Sequence, residues 1–351
     1  MGNAGTDAGN NGAARIVVIG SYAIALVMDV DRLPREGETL LARNFRHTYG
    51  GKGSDMAVQA ARLGAKVRFV GCVGADDYGR DFAALLAREG IGADNLRVSA
   101  ERATGAGFII KTSGGANMIT VDMGANELLG ATDLAAADEA IARCTVLLAQ
   151  LEIPLRTALE AARSGRRHGL RVILNPAPAR DLRAVDLSDI DILTPNETEA
   201  RVGLGLAPDD PASDEDIGRR LLRRGCGAVV LTLGERGALI VESAGTTTVP
   251  APAVDAVDTT GAGDAFNAGL ATALGEGRPL EEAVAYANAT AALSCTKAET
   301  VPSYHRRDDV DRLFGRWPDP EGSWQGRDLK RSPAGRRVDT AAPTLQGPSL
   351  P

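Results

Sequence analysis

The residues best suited to chemistry lie in a glycine-rich segment in the last third of the chain. The segment reads Asp258-Thr259-Thr260-Gly261-Ala262-Gly263-Asp264-Ala265-Phe266, and a helical stretch, 267–274, follows it. Small residues let the backbone approach a ligand closely, and a helix N-terminus adds unpaired N–H groups and a positive dipole end. These features favour an anion, such as a phosphoryl group in transfer. Asp264, in the first helical turn, is then placed to accept a proton from an attacking hydroxyl group.

Other interpretations of these residues remain open at this point. An aspartate in the first turn is favourable simply because it faces the positive end of the helix dipole. The segment lacks the Lys-Ser/Thr ending of a Walker loop, which disfavours P-loop chemistry. Cysteines and histidines are scattered without metal-ligand spacing, so neither a zinc site nor a disulfide framework is expected. These residues are Cys72, Cys144, Cys226, Cys295, His47, His168 and His305.

Alternating strands and helices must position this segment. Short β-branched runs predict buried strands at 16–19, 67–70, 146–148, 172–174, 190–193 and 228–231. Amphipathic patterns predict helices at 54–63, 77–88, 155–168 and 214–224. In the second of these, Phe82, Leu85 and Leu86 share one face and Gly90 ends the helix. Repeated strand and helix indicates an α/β fold, with a mostly parallel sheet covered by helices on both faces.

Two regions break this alternation, at 38–49 and 105–122. The second alternates apolar and polar residues around Ser113-Gly114-Gly115, which predicts an antiparallel hairpin. A small β-flap, or lid, over one edge of the main sheet accommodates both regions. The flap is expected to have an exposed strand edge and an apolar face marked by Phe108, Ile110 and Ile119.

Composition limits the partners and the boundaries of the domain. The 351-residue chain has 39 Lys and Arg against 46 Asp and Glu, a net charge of −7, which argues against nucleic acid or an anionic membrane. No apolar run approaches the ~20 residues that cross a bilayer. Residues 1–13 lack the pattern of a secretory signal, so a cytoplasmic location is expected. Residues 14–314 are predicted to form the domain, flanked by disordered segments at 1–13 and 315–351.

Several further motifs give the chain a family resemblance. DTTGAGDAF and Gly50-Gly51-Lys52-Gly53 before a helix resemble the ribokinase-like (PfkB) family of small-molecule kinases, over about residues 15–314. The other matches occur in family order. They are Gln150-Leu151-Glu152, Asn175-Pro176-Ala177-Pro178, Pro195-Asn196-Glu197-Thr198-Glu199, Thr232-Leu233-Gly234-Glu235-Arg236-Gly237 and Tyr286-Ala287-Asn288. The resemblance implies a three-layer α/β/α fold and ATP-dependent phosphoryl transfer to an alcohol group.

The resemblance also implies roles for individual residues. Asp264 corresponds to the general base, and the amides of Gly261, Ala262 and Gly263 to the anion hole. The family's nucleotide and magnesium positions correspond to Asn196, Glu199, Thr232, Gly234, Gly237 and Asn288. Its acceptor positions correspond to Gly50, Gly51, Lys52, Asp55 and Glu152. Its monovalent-cation loop, which binds K⁺, corresponds to Asp258, Thr260, Ser294, Lys297, Glu299 and Ser303. Pairing of two flaps implies a homodimer.

The acceptor positions depart from the family pattern. Where the family writes Gly-Ser-x-Asn-x-Asp, this chain has Ala23 and Ala25 in place of both polar anchors. Asp55 replaces an asparagine, and Lys52 and the helix N-terminus are expected to support its negative charge. Glu299 replaces a glycine in the cation loop. A ribose-like sugar is therefore the default acceptor, a nucleoside or other less polar acceptor is the first alternative, and a nucleotide- or sugar-binding pseudokinase is the second.

Overall fold

The computed structural model describes residues 12–112, 114 and 117–314. The strands are β1 (Arg15–Ile19), β2 (Ala23–Val30), β3 (Arg43–Gly50), β4 (Lys66–Gly74), β5 (Gly92–Ser99), β6 (Gly105–Thr112), β7 (Asn117–Asp122), β8 (Val146–Gln150), β9 (Arg171–Asn175), β10 (Ile192–Leu193), β11 (Ala228–Thr232), β12 (Ala238–Glu242) and β13 (Gly245–Val249). The α-helices are α1 (Lys52–Arg62), α2 (Asp77–Arg88), α3 (Ala131–Ala136), α4 (Asp138–Ala142), α5 (Leu155–Arg167), α6 (Glu197–Gly203), α7 (Asp214–Leu222), α8 (Ala262–Gly275), α9 (Leu280–Ser294) and α10 (Arg307–Phe314).

The main sheet has nine strands in the order β13-β12-β11-β10-β9-β8-β1-β4-β5. Neighbouring strands from β11 to β5 pair in parallel, and β12 and β13 continue the sheet antiparallel at one edge. The α/β fold with a mostly parallel sheet, predicted from the alternating pattern, is confirmed. Helices cover the sheet and bury the β-branched runs. Strand β1 shows this, since its continuous apolar stretch is buried.

Helix α2 shows how local sequence sets an element. The Asp76 side chain accepts a hydrogen bond of 2.9 Å from the Gly79 N–H and so caps the helix start. Phe82, Leu85 and Leu86 are buried on the predicted face. Gly90, just beyond the helix, has φ +70°, a conformation that favours glycine at a helix end.

A second sheet of four strands, ordered β3-β2-β6-β7, forms the flap. The hairpin predicted at 105–122 is present as antiparallel β6 and β7. The flap also contains β2, which pairs antiparallel with β3 and parallel with β6. Sequence patterns did not place β2 in the flap, because its apolar run resembles a buried strand of the main sheet. Ala23 and Ala25 are therefore strand residues of the flap.

The pairing register divides the flap into two faces. One face, here called the site-side face, combines Ala25, Thr48 and Gly107, which pair across three strands. Two residues further along, the same face carries Val27 and Arg46. The opposite face contains Leu26 paired with Phe108 and Ile110 paired with Met118. Phe108 and Met118 remain exposed, at 49% and 43%. Ile119, expected on the same apolar face as Phe108, instead lies on the site-side face because it alternates with Met118.

Most of the residues at the two chain ends lie outside the described part of the structure. The segments expected to be disordered, 1–13 and 315–351, lie outside the described residues except for residues 12 and 13. Within the described part of the chain, helices long and apolar enough to cross a membrane are absent. Cys72, Cys144, Cys226 and Cys295 are all buried free thiols, consistent with the absence of a disulfide framework.

Candidate active site

The glycine-rich segment forms the N-terminus of α8, as its sequence predicted. Gly261 is the N-cap residue and has φ +78°, and a Cβ atom there would lie 2.6 Å from the Tyr304 hydroxyl. Glycine is therefore required by both conformation and space. The Cβ position of Gly263 has no atom within 4 Å, so this side of the helix start is open. First-turn N–H groups have no partner within a helix, although that of Ala262 donates to Thr259 O at 3.2 Å.

Asp264 lies in the first turn of α8 and is buried, at 5% exposed. Its Oδ1 atom accepts no hydrogen bond from the described residues, and Lys52 Nζ lies 3.9 Å from it. Burial raises the pKa of Asp264 to about 6, Lys52 opposes this shift, and Glu152 and Glu199 add to it. A carboxylate with a pKa near neutral pH is well matched to accept a proton from a hydroxyl group.

Lys52 begins α1, directly after the glycine pair that ends β3. Gly51 has φ +91°, and a Cβ atom there would lie 2.8 Å from Ala23 N, so this turn requires glycine. The Lys52 N–H donates to Glu152 Oε2 at 2.8 Å, and the Ser21 hydroxyl donates to the same atom at 2.6 Å. Glu152, predicted as an acceptor residue, thus also caps the start of α1. The nearby Asp264 carboxylate, against the cost of burial, raises the pKa of Lys52.

Asp55 lies one turn into α1 and is only 2% exposed. Its Oδ1 atom has no hydrogen-bond partner among the described residues. Burial, followed by the negative charges of Asp264 and Glu152, raises the pKa of Asp55 well above its usual range. These effects oppose the negative charge that Lys52 and the helix N-terminus are expected to support at Asp55, and that expectation stays a prediction. Loss of water and the two acidic neighbours raise the pKa of Asp55, whereas the Lys52 charge lowers it.

Tyr304 is a site residue that the sequence motifs did not indicate. Its hydroxyl group donates a hydrogen bond of 3.2 Å to Gly261 O, at the helix N-cap. Burial, and then the nearby Asp55 and Asp264, raise the pKa of Tyr304 well above its usual range. Tyr304 directly follows Ser303, which the resemblance assigns to the cation loop, but the tyrosine itself belongs to no recognised motif and no periodicity marks it. Only the three-dimensional contact with Gly261 identifies it.

The predicted nucleotide residues meet at the carboxyl ends of β10 and β11. Asn196 and Glu199 form a capping box at the start of α6, in which each side chain accepts from the other residue's N–H, at 2.8 and 2.9 Å. Asn196 also pairs with Thr232 across the sheet edge. Burial raises the pKa of Glu199, and the Lys52 charge opposes the shift. The structure thus shows the capping role of both residues, and their role toward a nucleotide stays a prediction.

Gly237 and Asn288 hold the segment that follows β13. Gly237 has φ +88°, and a Cβ atom there would lie 2.1 Å from Val249 O. The Asn288 amide donates to Val249 O at 3.0 Å and to Pro250 O at 3.2 Å. Gly234 has φ +59° and no atom within 4 Å of its Cβ position, so it borders open space. These contacts fix the chain segment that borders the predicted nucleotide site.

The predicted cation loop consists of two segments of the chain, one around Asp258 and one around Glu299. Asp258 Oδ1 accepts from the Thr260 N–H at 2.9 Å and its hydroxyl at 2.6 Å, and Oδ2 accepts from the Glu299 N–H at 3.1 Å. Ser294 and Ser303 donate to backbone carbonyl oxygens at 2.8 Å, and Lys297 is exposed. The predicted ligands thus lie near one another, but the two serine hydroxyls and the Asp258 oxygens already have partners.

The arrangement fits a phosphate-bearing ligand and a divalent cation. The open N-terminus of α8 and the Lys52 ammonium supply positive potential, and Glu199 supplies an acidic oxygen. Across the described residues, no three His, Cys, Asp or Glu side chains cluster as a metal site. Magnesium often binds through one or two carboxylates together with substrate phosphates, so this donor set is suitable for it.

Known proteins match this chain over most of its length. Residues 13–307 match the family described as pfkB family carbohydrate kinase. Ribokinase of Haemophilus influenzae is 37% identical over 84% of this chain and 96% of that protein. Deoxyribokinase of Salmonella typhi is 36% identical over 82% of this chain and 95% of that protein. The structure of Arabidopsis thaliana ribokinase complexed with ribose and ATP has a TM-score of 0.78 and 31% identity, covering 86% and 98% of the two chains. This chain therefore belongs to the pfkB family of carbohydrate kinases.

Proposed function

We propose that this carbohydrate kinase transfers the γ-phosphoryl group of ATP to a hydroxymethyl group of a small, ribose-like sugar. The observation that carries the proposal is Asp264: a buried carboxylate with an unpartnered oxygen, 3.9 Å from the Lys52 ammonium, at the open start of a helix. This combination provides a base, a positive charge and an anion cradle at one point. Each is needed for phosphoryl transfer to an alcohol.

The mechanism assigns the proton to Asp264. As the acceptor oxygen forms its bond to the γ-phosphorus, the hydroxyl proton moves to the Asp264 carboxylate, and the bond between that phosphorus and the bridging oxygen of ADP breaks. The N-terminus of α8, from Gly261 to Gly263, faces the charge that develops on the phosphoryl oxygens. Lys52 stabilises the same charge and keeps Asp264 sufficiently acidic to be ionised at neutral pH.

Nucleotide and magnesium are assigned to the edge formed by β10 and β11. Asn196, Glu199 and Thr232 lie there, and Gly234, Gly237 and Asn288 form or support the adjoining wall. Bound Mg²⁺ supplies charge neutralisation of the phosphates. We also propose that the enzyme acts in the cytoplasm, where ATP is supplied.

The acceptor is assigned to the space between the flap and the starts of α1 and α8. Gly50, Gly51, Lys52, Asp55 and Glu152 border it, and the site-side face of the flap covers it. Ala23 and Ala25 offer no polar atoms from their side chains, which favours an acceptor with fewer hydrogen-bonding groups there. Relatives named ribokinase and deoxyribokinase support a pentose. The two alanines make a nucleoside-like acceptor the second candidate.

A coupled ATP-consumption assay tests the function. Ribose, 2-deoxyribose, hexoses and nucleosides are supplied in turn, with the Asp264→Asn variant as the matched control. We expect turnover with at least one pentose and its loss in the variant. ATP binding without turnover of any acceptor would instead identify a pseudokinase. Turnover that the variant retains would remove Asp264 from the mechanism.

The exposed apolar face of the flap supports assembly into a homodimer. Phe108 and Met118 are both large and exposed on the face opposite the site. Exposed strand edges and apolar faces are commonly covered in soluble proteins. We assign this face to contact with a second copy of the chain.

A further inference from the structure

Two ion pairs join the flap to the loop that precedes the anion cradle. Arg46 Nε, on β3, donates to Glu299 Oε1 at 3.1 Å, and Lys111 Nζ, on β6, lies 4.0 Å from Asp258 Oδ2. A hydrogen bond of 3.0 Å from the Thr300 hydroxyl to Tyr49 O adds a third connection. All three connect flap strands with the Asp258 and Glu299 segments. The flap thus places two positively charged side chains beside the carboxylates of Asp258 and Glu299.

Glu299 combines an unusual backbone conformation with an ion pair to the flap. Glu299 has φ +69°, one of two positive-φ residues other than glycine among the described residues. This conformation is unfavourable for a residue with a side chain, so a glycine would adopt it more easily. The ion pair with Arg46 provides an interaction that a glycine cannot make. The side chain offsets the conformational cost by tying the flap to the loop.

The loop is in direct contact with the catalytic helix start. Asp258 and Thr260 immediately precede Gly261, and a Cβ atom on Gly261 would lie 2.9 Å from Thr300 Cγ2. Because Thr300 follows Glu299, displacement of the Glu299 segment moves a neighbour of the anion cradle. The position of the flap is therefore linked to the position of the N-terminus of α8.

A monovalent cation does not fit this loop well. Asp258 accepts hydrogen bonds from the Thr260 N–H and hydroxyl and from the Glu299 N–H, which leaves about one of the four lone-pair sites of its carboxylate for a cation. The Lys111 ammonium lies close to the remaining face of that carboxylate, and a second positive charge beside it would be repelled. The Glu299 carboxylate is likewise paired with Arg46.

We propose that Arg46 and Lys111 are positioning residues that hold the Asp258 and Glu299 segments in place of a bound monovalent cation. Through these contacts the flap supplies positive charge to the loop that adjoins the cradle at Gly261. The proposal rests on the kinase function for its activity readout. Neither residue contacts the reacting atoms; each acts through the loop.

The first test compares potassium with an inert cation. kcat/KM is measured in KCl and in choline chloride at equal ionic strength, for the parent enzyme and for Lys111→Met. We expect the parent values to agree within about twofold and the variant to gain an activation by KCl of about fivefold or more. Activation of the parent by more than fivefold would overturn the proposal, as would a variant that remains indifferent to KCl.

The second test is a double-mutant cycle between Arg46→Met and Glu299→Gln. Each single change should lower kcat/KM about three- to fivefold, and the double change should cost no more than the larger single effect. Arg43→Met is the matched control because Arg43 lies on the same strand and pairs with the exposed Asp31, away from the loop. The control should remain within about twofold of the parent. Additive losses, or equal losses in the control, would contradict the coupling.

Melting temperatures separate this proposal from the kinase function. Potassium bound to the folded state would raise the melting temperature, since ligands that prefer the folded state stabilise it. KCl should leave the parent unchanged relative to choline chloride and should stabilise Lys111→Met. This readout needs no acceptor, so it holds even if every acceptor fails. Equal melting behaviour of parent and variant in both salts would count against the inference alone.

Discussion

The Lys52 ammonium lies 3.9 Å from Asp264 Oδ1, so the positive charge and the proposed base come from the starts of two different helices. Burial alone would raise the pKa of Asp264 further than about 6, and Lys52 limits that rise. The Lys52 charge thus counteracts the effect of burial and favours the ionised form of Asp264, which the proposed role as base requires.

Replacing Asp264 with asparagine should abolish most turnover and leave nucleotide binding intact. The amide has nearly the same shape but cannot accept the hydroxyl proton, so kcat should fall by roughly 10²–10⁴. ATP affinity, measured by calorimetric titration, should change little because the N-terminus of α8 is retained. A fall in kcat of less than tenfold would show that another group acts as the base.

The pH dependence should report the same carboxylate. Asp264 must be ionised to act, so kcat/KM should fall as the pH drops through about 6. In Lys52→Met, loss of the ammonium removes the interaction that lowers this pKa, so the acid limb should move to higher pH. Turnover should also fall by roughly 10²–10³, because a charge that stabilises the phosphoryl group is lost. An acid limb that stays in place in the variant would contradict the assignment.

Much of the fold was predictable because its signals are local. The apolar runs of β1 and β8 and the spacing of Phe82, Leu85 and Leu86 reflect burial that any covered sheet requires. The start of α8 was predictable because glycine and a following helix are adjacent in the sequence. Asp264 therefore appeared as a candidate before its surroundings were known.

The remaining features depend on contacts between distant residues. Tyr304 meets Gly261 across 43 positions and Arg46 meets Glu299 across 253, so no sequence window contains either pair. The raised pKa of Asp55 also has no local sequence signal, since its causes are burial and the charges of Asp264 and Glu152, which are distant in the chain. The apolar run of β2 fits either sheet, and only its partners place it in the flap.

Asp55→Asn should stabilise the protein increasingly as the pH rises. Because the folded-state pKa of Asp55 is raised, its contribution to stability is full below the unfolded pKa of about 4 and is lost as the pH rises toward the folded value. Asparagine does not ionise, so the variant does not lose stability in this way. The melting temperature of the variant minus that of the parent should therefore be larger at pH 8 than at pH 4. One pKa unit corresponds to about 1.4 kcal/mol, which calorimetry resolves readily.

Asp77→Asn provides the matched control for this experiment. Asp77 is also in a first helical turn, in α2, but it is exposed and pairs with Arg80. Its replacement should be neutral or slightly destabilising, by a few tenths of a kcal/mol, at both pH values. An Asp55→Asn effect that is the same at pH 4 and pH 8 would show that Asp55 is ionised in the folded protein.

Phe108→Asp should convert the proposed dimer to a monomer. Phe108 is 49% exposed on the flap face opposite the site, where a buried carboxylate would have no counter-charge. Burying such a charge costs several kcal/mol, enough to dissociate an interface at micromolar protein concentration. Light scattering measures the mass. Val98→Asp, at an exposed apolar residue of β5 in the main sheet, should leave the dimer intact, and a monomeric parent would contradict the proposal.

The acceptor pocket gives a prediction in which function is gained. Ala23 and Ala25 lie on the site-side face of β2, and the Cβ position of Gly50 is 3.7 Å from Ala25 Cβ. The combined change Ala23→Asn and Ala25→Asp adds an amide and a carboxylate there. Each hydrogen bond to a charged group contributes about 1.5–3 kcal/mol, so two of them should raise kcat/KM for ribose about a hundredfold or more.

Steady-state kinetics with ribose and with the best parental acceptor distinguish the two candidate acceptors. Ala106→Asp is the control, because Ala106 pairs with Ile24 on the opposite face of the same sheet and its carboxylate would not reach the acceptor. If ribose is the natural acceptor, the double variant should improve on an existing activity while the control does not. If the parent phosphorylates a bulkier, less polar acceptor, the added polar groups should weaken that activity, because their desolvation is uncompensated. The parent could prefer a nucleoside while the double variant shows no gain in kcat/KM for ribose. That result would show that the pocket is built for the less polar acceptor.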